Sequence, residues 1–106
     1  MKIYLYQLMN DADFEWDEAK NRSNQKKHGV SFEYAIRVFG DPLMLLFADE
    51  HVEDEERWRA YGQVGGHAVF MVAHTYRNND GQEKIRIISA RMATRHERQG
   101  YERKNG

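Results

Sequence analysis

Residues 57–90 constrain the fold more than any other part of the chain. Arg57 to Val64 alternates, with Trp58, Ala60, Gly62 and Val64 on one face and Arg57, Arg59, Tyr61 and Gln63 on the other. Gly65-Gly66 is a two-residue hairpin signal. His67 to Tyr76 reads as the central strand, through Val69, Phe70, Met71, Val72 and Ala73. Asn78-Asn79-Asp80-Gly81 is a second turn, and Lys84 to Ala90 a third strand. Runs joined in this way make an antiparallel meander. A chain of 106 residues can build one domain around such a sheet and not two.

The flanks add helices. Phe14-Glu15-Trp16 is a short early strand. Asp17 caps a helix from Glu18 to about His28, stopped by Gly29. That helix is polar nearly all round, so it is expected to pack lightly or to face a partner. Ser31 caps a second helix, Phe32 to Phe39, with Phe32, Ala35, Ile36 and Phe39 on one stripe. Gly40 and Asp41-Pro42 end it. Leu43 to Phe47 has strand length, and Asp49 to Glu56 reads as an acidic loop. Thr94 and Glu97 form a capping box that opens a last helix, Arg95 to about Lys104. The expectation is a two-layer α+β domain over residues 14–106, its N-terminal helices and C-terminal helix packed on an antiparallel sheet. Residues 1–13 are expected to be a strand or arm rather than a signal peptide.

Composition excludes several classes of function. The chain has no Cys, so a disulfide scaffold, a thiolate zinc site and a Cys nucleophile are ruled out. No apolar run approaches the roughly 20 residues of a membrane helix. There is no phosphate-binding Gly-rich loop, no His-Glu-x-x-His and no EF-hand loop. His51-x-Glu53 is the one pair that could chelate from a strand, and no metal or other cofactor is expected.

Charge is divided along the chain. Residues 1–56 hold 6 Lys/Arg against 13 Asp/Glu, and residues 57–106 hold 10 against 4. The basic half can meet an anionic ligand, or the halves can neutralise each other across the fold. Arg57 and Arg59 share a strand face with Tyr61, and Arg77, Arg86 and Arg91 lie on or beside the next two strands. Arg95, Arg98, Arg103, Lys104 and Tyr101 lie on the last helix. Arg grips phosphate in a two-point fork, and Tyr offers a stacking face for an unpaired base. Arg and aromatics on one sheet face suit RNA better than duplex DNA. Singly, each Arg also serves as a surface solubiliser.

RNA cleavage without metal needs a base for the 2′-hydroxyl, a cation for the phosphorane and an acid for the leaving oxygen. Candidate proton carriers are His28, His74 and Glu55. Each has a plain structural reading as well. His74 suits a half-buried strand, and Lys27-His28 suits a helix C-terminus, where cations meet the macrodipole.

Two groups of residues carry a family resemblance. Phe14-x-Trp16-Asp17, Asn24-x-x-Lys27-His28-Gly29-Val30-Ser31-Phe32, Ala35 and Val38-Phe39-x-Asp41 resemble the first half of the BrnT-type toxins. Glu55-x-Arg57, Gly62, Thr75-x-Arg77, Ile85 to Arg91, Ala93, Glu97-Arg98 and Tyr101 resemble the second. The resemblance implies a RelE-like fold and a metal-independent endoribonuclease of a type II toxin–antitoxin system, acting in the cytoplasm to arrest translation. It implies a ribbon-helix-helix antitoxin as partner, two toxins with two antitoxins, and operator DNA bound only through that antitoxin. Of the residues it carries over, His28, Glu55, Arg57, Arg77 and Arg91 are the catalytic candidates. Lys27, Arg59, Tyr61, Arg86 and Arg95 are the RNA-binding candidates. Ser89 and Ala90 read as close-packing positions under the last helix. The competing readings are a non-catalytic partner of a DNA-binding antitoxin and an RNA-binding module that does not cut.

Overall fold

A computed structural model describes residues 13–49, 56–66 and 68–106. The strands are β1 (Phe14–Glu15), β2 (Leu45–Asp49), β3 (Arg57–Val64), β4 (Ala68–Asn79) and β5 (Gln82–Met92). The helices are α1 (Glu18–His28), α2 (Phe32–Ala35), a 3-10 segment (Ile36–Gly40) and α3 (Arg95–Asn105). The sheet order is β1-β5-β4-β3-β2. The meander is antiparallel, as its sequence predicts. The early strand adds one parallel pair, Phe14 beside Ile85 and Glu15 beside Arg86. Gly65 and Gly66 both take positive φ, 70° and 76°, and so do Asp80 and Gly81 at the second turn, 54° and 84°. Two consecutive left-handed residues give the twist that tight hairpins need.

One sheet face carries the main core. Phe32, Ala35, Ile36, Val38 and Phe39 pack there against Ala60, Val72, Ile85 and Ile87. The second predicted helix is shorter than its stripe implies. After Ala35 the chain tightens into the 3-10 segment, and Asp41, the residue before proline, is extended at φ −78° and ψ 117°. A tight approach follows. A Cβ on Gly62 would lie 2.8 Å from Val38 Cγ1 and 2.9 Å from the Val38 carbonyl oxygen. Only glycine lets β3 pass so close beneath that segment.

Helix α1 has almost no apolar face, and it docks by hydrogen bonds instead. Its two buried residues are Asn21 and Asn24, one turn apart. Asn24 Nδ2 donates to the Ala90 carbonyl at 2.8 Å and to the Val30 carbonyl at 3.0 Å, while Asn24 Oδ1 accepts from the Ala90 amide at 3.1 Å. The amide side chain therefore pairs with β5 as another strand would, beyond the end of β1. Asn21 Oδ1 accepts from the Phe32 amide at 2.8 Å, fixing α2 to α1. The polar helix faces its own sheet edge.

Helix α3 covers part of the opposite face, against Tyr61, Val69 and Met71 through Tyr101. Helices thus lie on both sides of the sheet, not in one layer. This corrects the expectation for Ala90, which packs on the α2 side with the main core. Ser89 faces the α3 side. Ile87 is buried, whereas Ile88 sits half-buried at the irregularity in the β4–β5 ladder. Asp41 ties the turn before β2 to β3 and α3: its carboxylate accepts from the Leu43 amide at 2.8 Å, the Gln63 amide at 2.7 Å and the Tyr101 hydroxyl at 2.5 Å. Strand β2 begins two residues later than its apolar run predicts. No helix among the described residues is long and apolar enough to cross a membrane. The arm reading of residues 1–13 falls almost wholly outside the described residues.

Candidate functional site

The strand register builds the site. On the face that α3 partly covers, neighbouring strands set their side chains in rows. One row is Leu45, Tyr61, Met71 and Arg91. The next is Phe47, Arg59, Ala73 and Ser89. The third runs from Asp49 and Arg57 on β2 and β3 to the Thr75–Arg86 pair on β4 and β5. Arg77 and Lys84 make a fourth, at the far end of β4 and β5. Helix α3 covers the first row and leaves the others more open. The result is a trough. Its floor is small residues, Ala73, Thr75 and Ser89. Arg57 and Arg59 rise on β3, and Arg86 and Arg91 rise on β5, two strand spacings or about 10 Å away.

A hydrogen-bonded cluster closes one end. Arg91 grips Glu97 at two points, Nη1 to Oε1 at 2.8 Å and Nη2 to Oε2 at 3.1 Å. The Tyr61 hydroxyl donates to Glu97 Oε2 at 2.9 Å, and Arg59 Nη1 lies 3.9 Å from the same oxygen. Glu97 also accepts from the Thr94 amide at 2.8 Å, completing the capping box. The Arg91 guanidinium, with help from the Thr94 amide and Tyr61, holds the Glu97 carboxyl down to about 2. Burial pushes the Tyr61 hydroxyl up. Neither group is a proton carrier near neutrality. The cluster acts as a fixed ionic lock. Further along, Arg86 pairs with Glu15 at 3.1 Å across the parallel strands, and Arg59 Nε pairs with Asp49 at 3.4 Å.

The structure gathers some predicted site residues and separates others. Arg57, Arg59, Tyr61, Arg77, Arg86 and Arg91 share the α3 face. Arg95 is exposed at the start of α3. Lys27 and His28 are exposed at the end of α1, on the helix that docks along β5 through Asn21 and Asn24. Glu55, His51 and Glu53 lie outside the described residues.

His74 is a core histidine. It is fully buried, and burial lowers its pKa to about 4. Its Nδ1 lies 3.1 Å from the Val72 carbonyl and its Nε2 3.2 Å from the Tyr76 hydroxyl. These partners assign the proton to Nδ1, with Nε2 accepting from Tyr76. The Phe39 ring meets it edge-on at 5.0 Å. Its side chain faces the main core, away from the trough.

Sequence reasoning missed four participants. Glu97 reads in sequence as a helix cap and a motif residue, and neither predicts its grip on Arg91. Asp49, Phe47 and His96 line a cleft of about 420 Å³ between β2, β3 and α3. Phe47 lay in an apolar run that gave no hint of exposure, and it is 43 % exposed.

Residues 16–97 match the family described as "Ribonuclease toxin, BrnT, of type II toxin-antitoxin system". No match is found among curated proteins. Among solved structures, the Brucella abortus ribonuclease toxin BrnT is 25 % identical, with a TM-score of 0.53, over 77 % of this chain and 96 % of that one. The α+β fold and the extent of the match agree, and the chain belongs to the BrnT family of type II toxin–antitoxin ribonuclease toxins.

Proposed function

We propose that the protein is a metal-independent endoribonuclease that binds single-stranded RNA along the arginine trough. The observation that carries this reading is the gathering of Arg57, Arg59, Arg86 and Arg91 on one sheet face, on the two strands that flank β4, with the small residues Ala73, Thr75 and Ser89 among them. Guanidinium groups on both walls suit a phosphodiester backbone, which each can grip by two hydrogen bonds. In the proposed reaction a base takes the 2′-hydroxyl proton and the oxygen attacks phosphorus. The bond to the 5′-oxygen breaks, that oxygen is protonated, and a 2′,3′-cyclic phosphate remains. Arg57, Arg77 and Arg91 offset charge on the phosphorane. Glu55, two residues before Arg57, and His28 are the proposed proton carriers. Lys27 and Arg95 extend the basic surface.

Membership of the family brings an antitoxin. We take it to be a ribbon-helix-helix dimer that binds two toxins, carries the complex to operator DNA and works with it in the cytoplasm.

The test is cleavage of a defined single-stranded RNA by purified protein in EDTA. The expected products carry 2′,3′-cyclic phosphate and 5′-hydroxyl ends, and Arg91→Ala lowers the rate about tenfold or more. Intact RNA with folded wild-type protein, or a strict metal requirement, would overturn the reading.

A further inference from the structure

We propose that the cleft between β2 and α3 is a base-binding subsite, which takes one unstacked nucleobase of single-stranded RNA against the Phe47 ring. This rests on the ribonuclease reading above and adds to it where the substrate's base is held.

The cleft is about 420 Å³, in the size range of sites for small ligands. A duplex cannot enter a space of that size, whereas a single turned-out nucleotide can. Phe47 is 43 % exposed on the edge strand, where a buried position would serve stability better. Its ring meets Tyr61 at 6.0 Å and 68°. In the free protein Lys104 Nζ lies 5.4 Å from the Phe47 ring centroid. A surface cation–π contact is weaker than base–aromatic stacking, so a base displaces the ammonium. The freed ammonium then turns to the neighbouring phosphate.

Charge favours a nucleotide over a peptide. Arg59, Arg103 and Lys104 line the cleft against Asp49 and Glu97. Both carboxylates are engaged, Asp49 with Arg59 and Glu97 with Arg91. With those carboxylates paired, Arg103 and Lys104 set the character of the rim.

Register links the cleft to the trough. Phe47 lies directly opposite Arg59, where side chains on paired strands stand roughly 5 Å apart at Cβ. A phosphate held at Arg59 has its own base within reach of Phe47. The RNA then runs along the arginines while one base leaves the stack and enters the cleft.

The experiment uses the full chain and a short single-stranded RNA made uncleavable by 2′-O-methyl groups and carrying one 2-aminopurine. Wild-type protein is expected to bind it and quench the fluorophore by stacking. Phe47→Ala should weaken binding about tenfold, the scale of one lost stack, and abolish the quench. Phe47→Tyr should retain both. Gly100→Leu supplies a variant that leaves every strand residue unchanged. A Cβ there meets only the flexible tip of Arg103, at 3.9 Å, so the helix keeps its fold while the side chain enters the cleft. It should reproduce the Phe47→Ala loss. Unchanged affinity and quench in both variants, with wild-type protein still cleaving RNA, would overturn the subsite and leave the ribonuclease reading intact. A folded wild-type protein that neither binds nor cuts RNA would overturn both. Variants with normal RNA binding that fail only to capture the antitoxin would make the cleft a protein-docking site and overturn the proposal.

Discussion

Glu97 holds Arg91 by both guanidinium nitrogens, at 2.8 and 3.1 Å, while it caps its own helix through the Thr94 amide. One carboxylate thus fastens α3 to the sheet and aims the arginine that closes the trough. A phosphate offers the same two-point geometry to Arg91, so substrate and Glu97 compete for one guanidinium.

That competition predicts a split effect for Glu97→Gln. Gln preserves the capping box, so the fold should persist. With the charge gone, RNA should bind several-fold more tightly, and kcat should drop because the fork is no longer aimed. Single-turnover rates beside equilibrium binding separate the two, and tighter binding with undiminished kcat would show that Glu97 does not position Arg91. Arg91→Lys keeps the charge and loses the fork, so its rate should stay close to that of Arg91→Ala.

Acid should destabilise the protein in two consecutive windows. His74 is lowered from 6.5 to about 4 by burial, so the unfolded state takes up its proton first. Its contribution is complete above pH 6.5 and is lost as pH falls from 6.5 to 4, at a cost of about 3 kcal/mol. Glu97 is lowered from 4.5 to about 2, chiefly by Arg91, so its contribution is lost between pH 4.5 and 2. Urea midpoints measured from pH 8 to 3 check the order. In the His74→Leu, Tyr76→Phe double variant, which removes both polar partners together, the upper window should flatten.

Asn24→Ala should cost about 2–3 kcal/mol, because it strands the buried amide and carbonyl of Ala90 together. The urea midpoint should fall with an unchanged m value. A loss within a few tenths of a kcal/mol would mean that water replaces the side chain along that edge.

Gly62→Ala should destabilise by about 1–3 kcal/mol, since its methyl meets the Val38 carbonyl and side chain at under 3 Å. Gly66→Asn is the matched control. Its φ of 76° suits Asn, and nothing lies within 4 Å of a Cβ there. Thermal melts of the pair should differ clearly, and equal melting temperatures would remove the close approach as the reason for glycine at 62.

Local signals were enough for much of this protein. Alternation in Arg57–Val64, the glycine turn at 65–66, the caps at Asp17, Ser31 and Thr94, and the motif segments around Lys27–Phe32 and Ile85–Arg91 were legible from residue order alone. These depend on neighbours within a few positions, so the chain states them directly. The placement of Arg57, Arg59, Tyr61, Arg77, Arg86 and Arg91 on one face was half legible, because alternation assigns a face within a strand and not between strands. The tertiary structure decided what depends on register and on which surfaces meet. It turned His74 into the core, set Glu97 against Arg91, used Asn24 as a strand partner for Ala90, and opened Phe47 onto a cleft under α3. No periodicity carries those contacts. Asn24 and Ala90 are 66 positions apart, and Tyr61 and Glu97 are 36. Such pairs form only because a hairpin register and a helix docked on the far face bring distant polar groups out of water together, where each must find a partner.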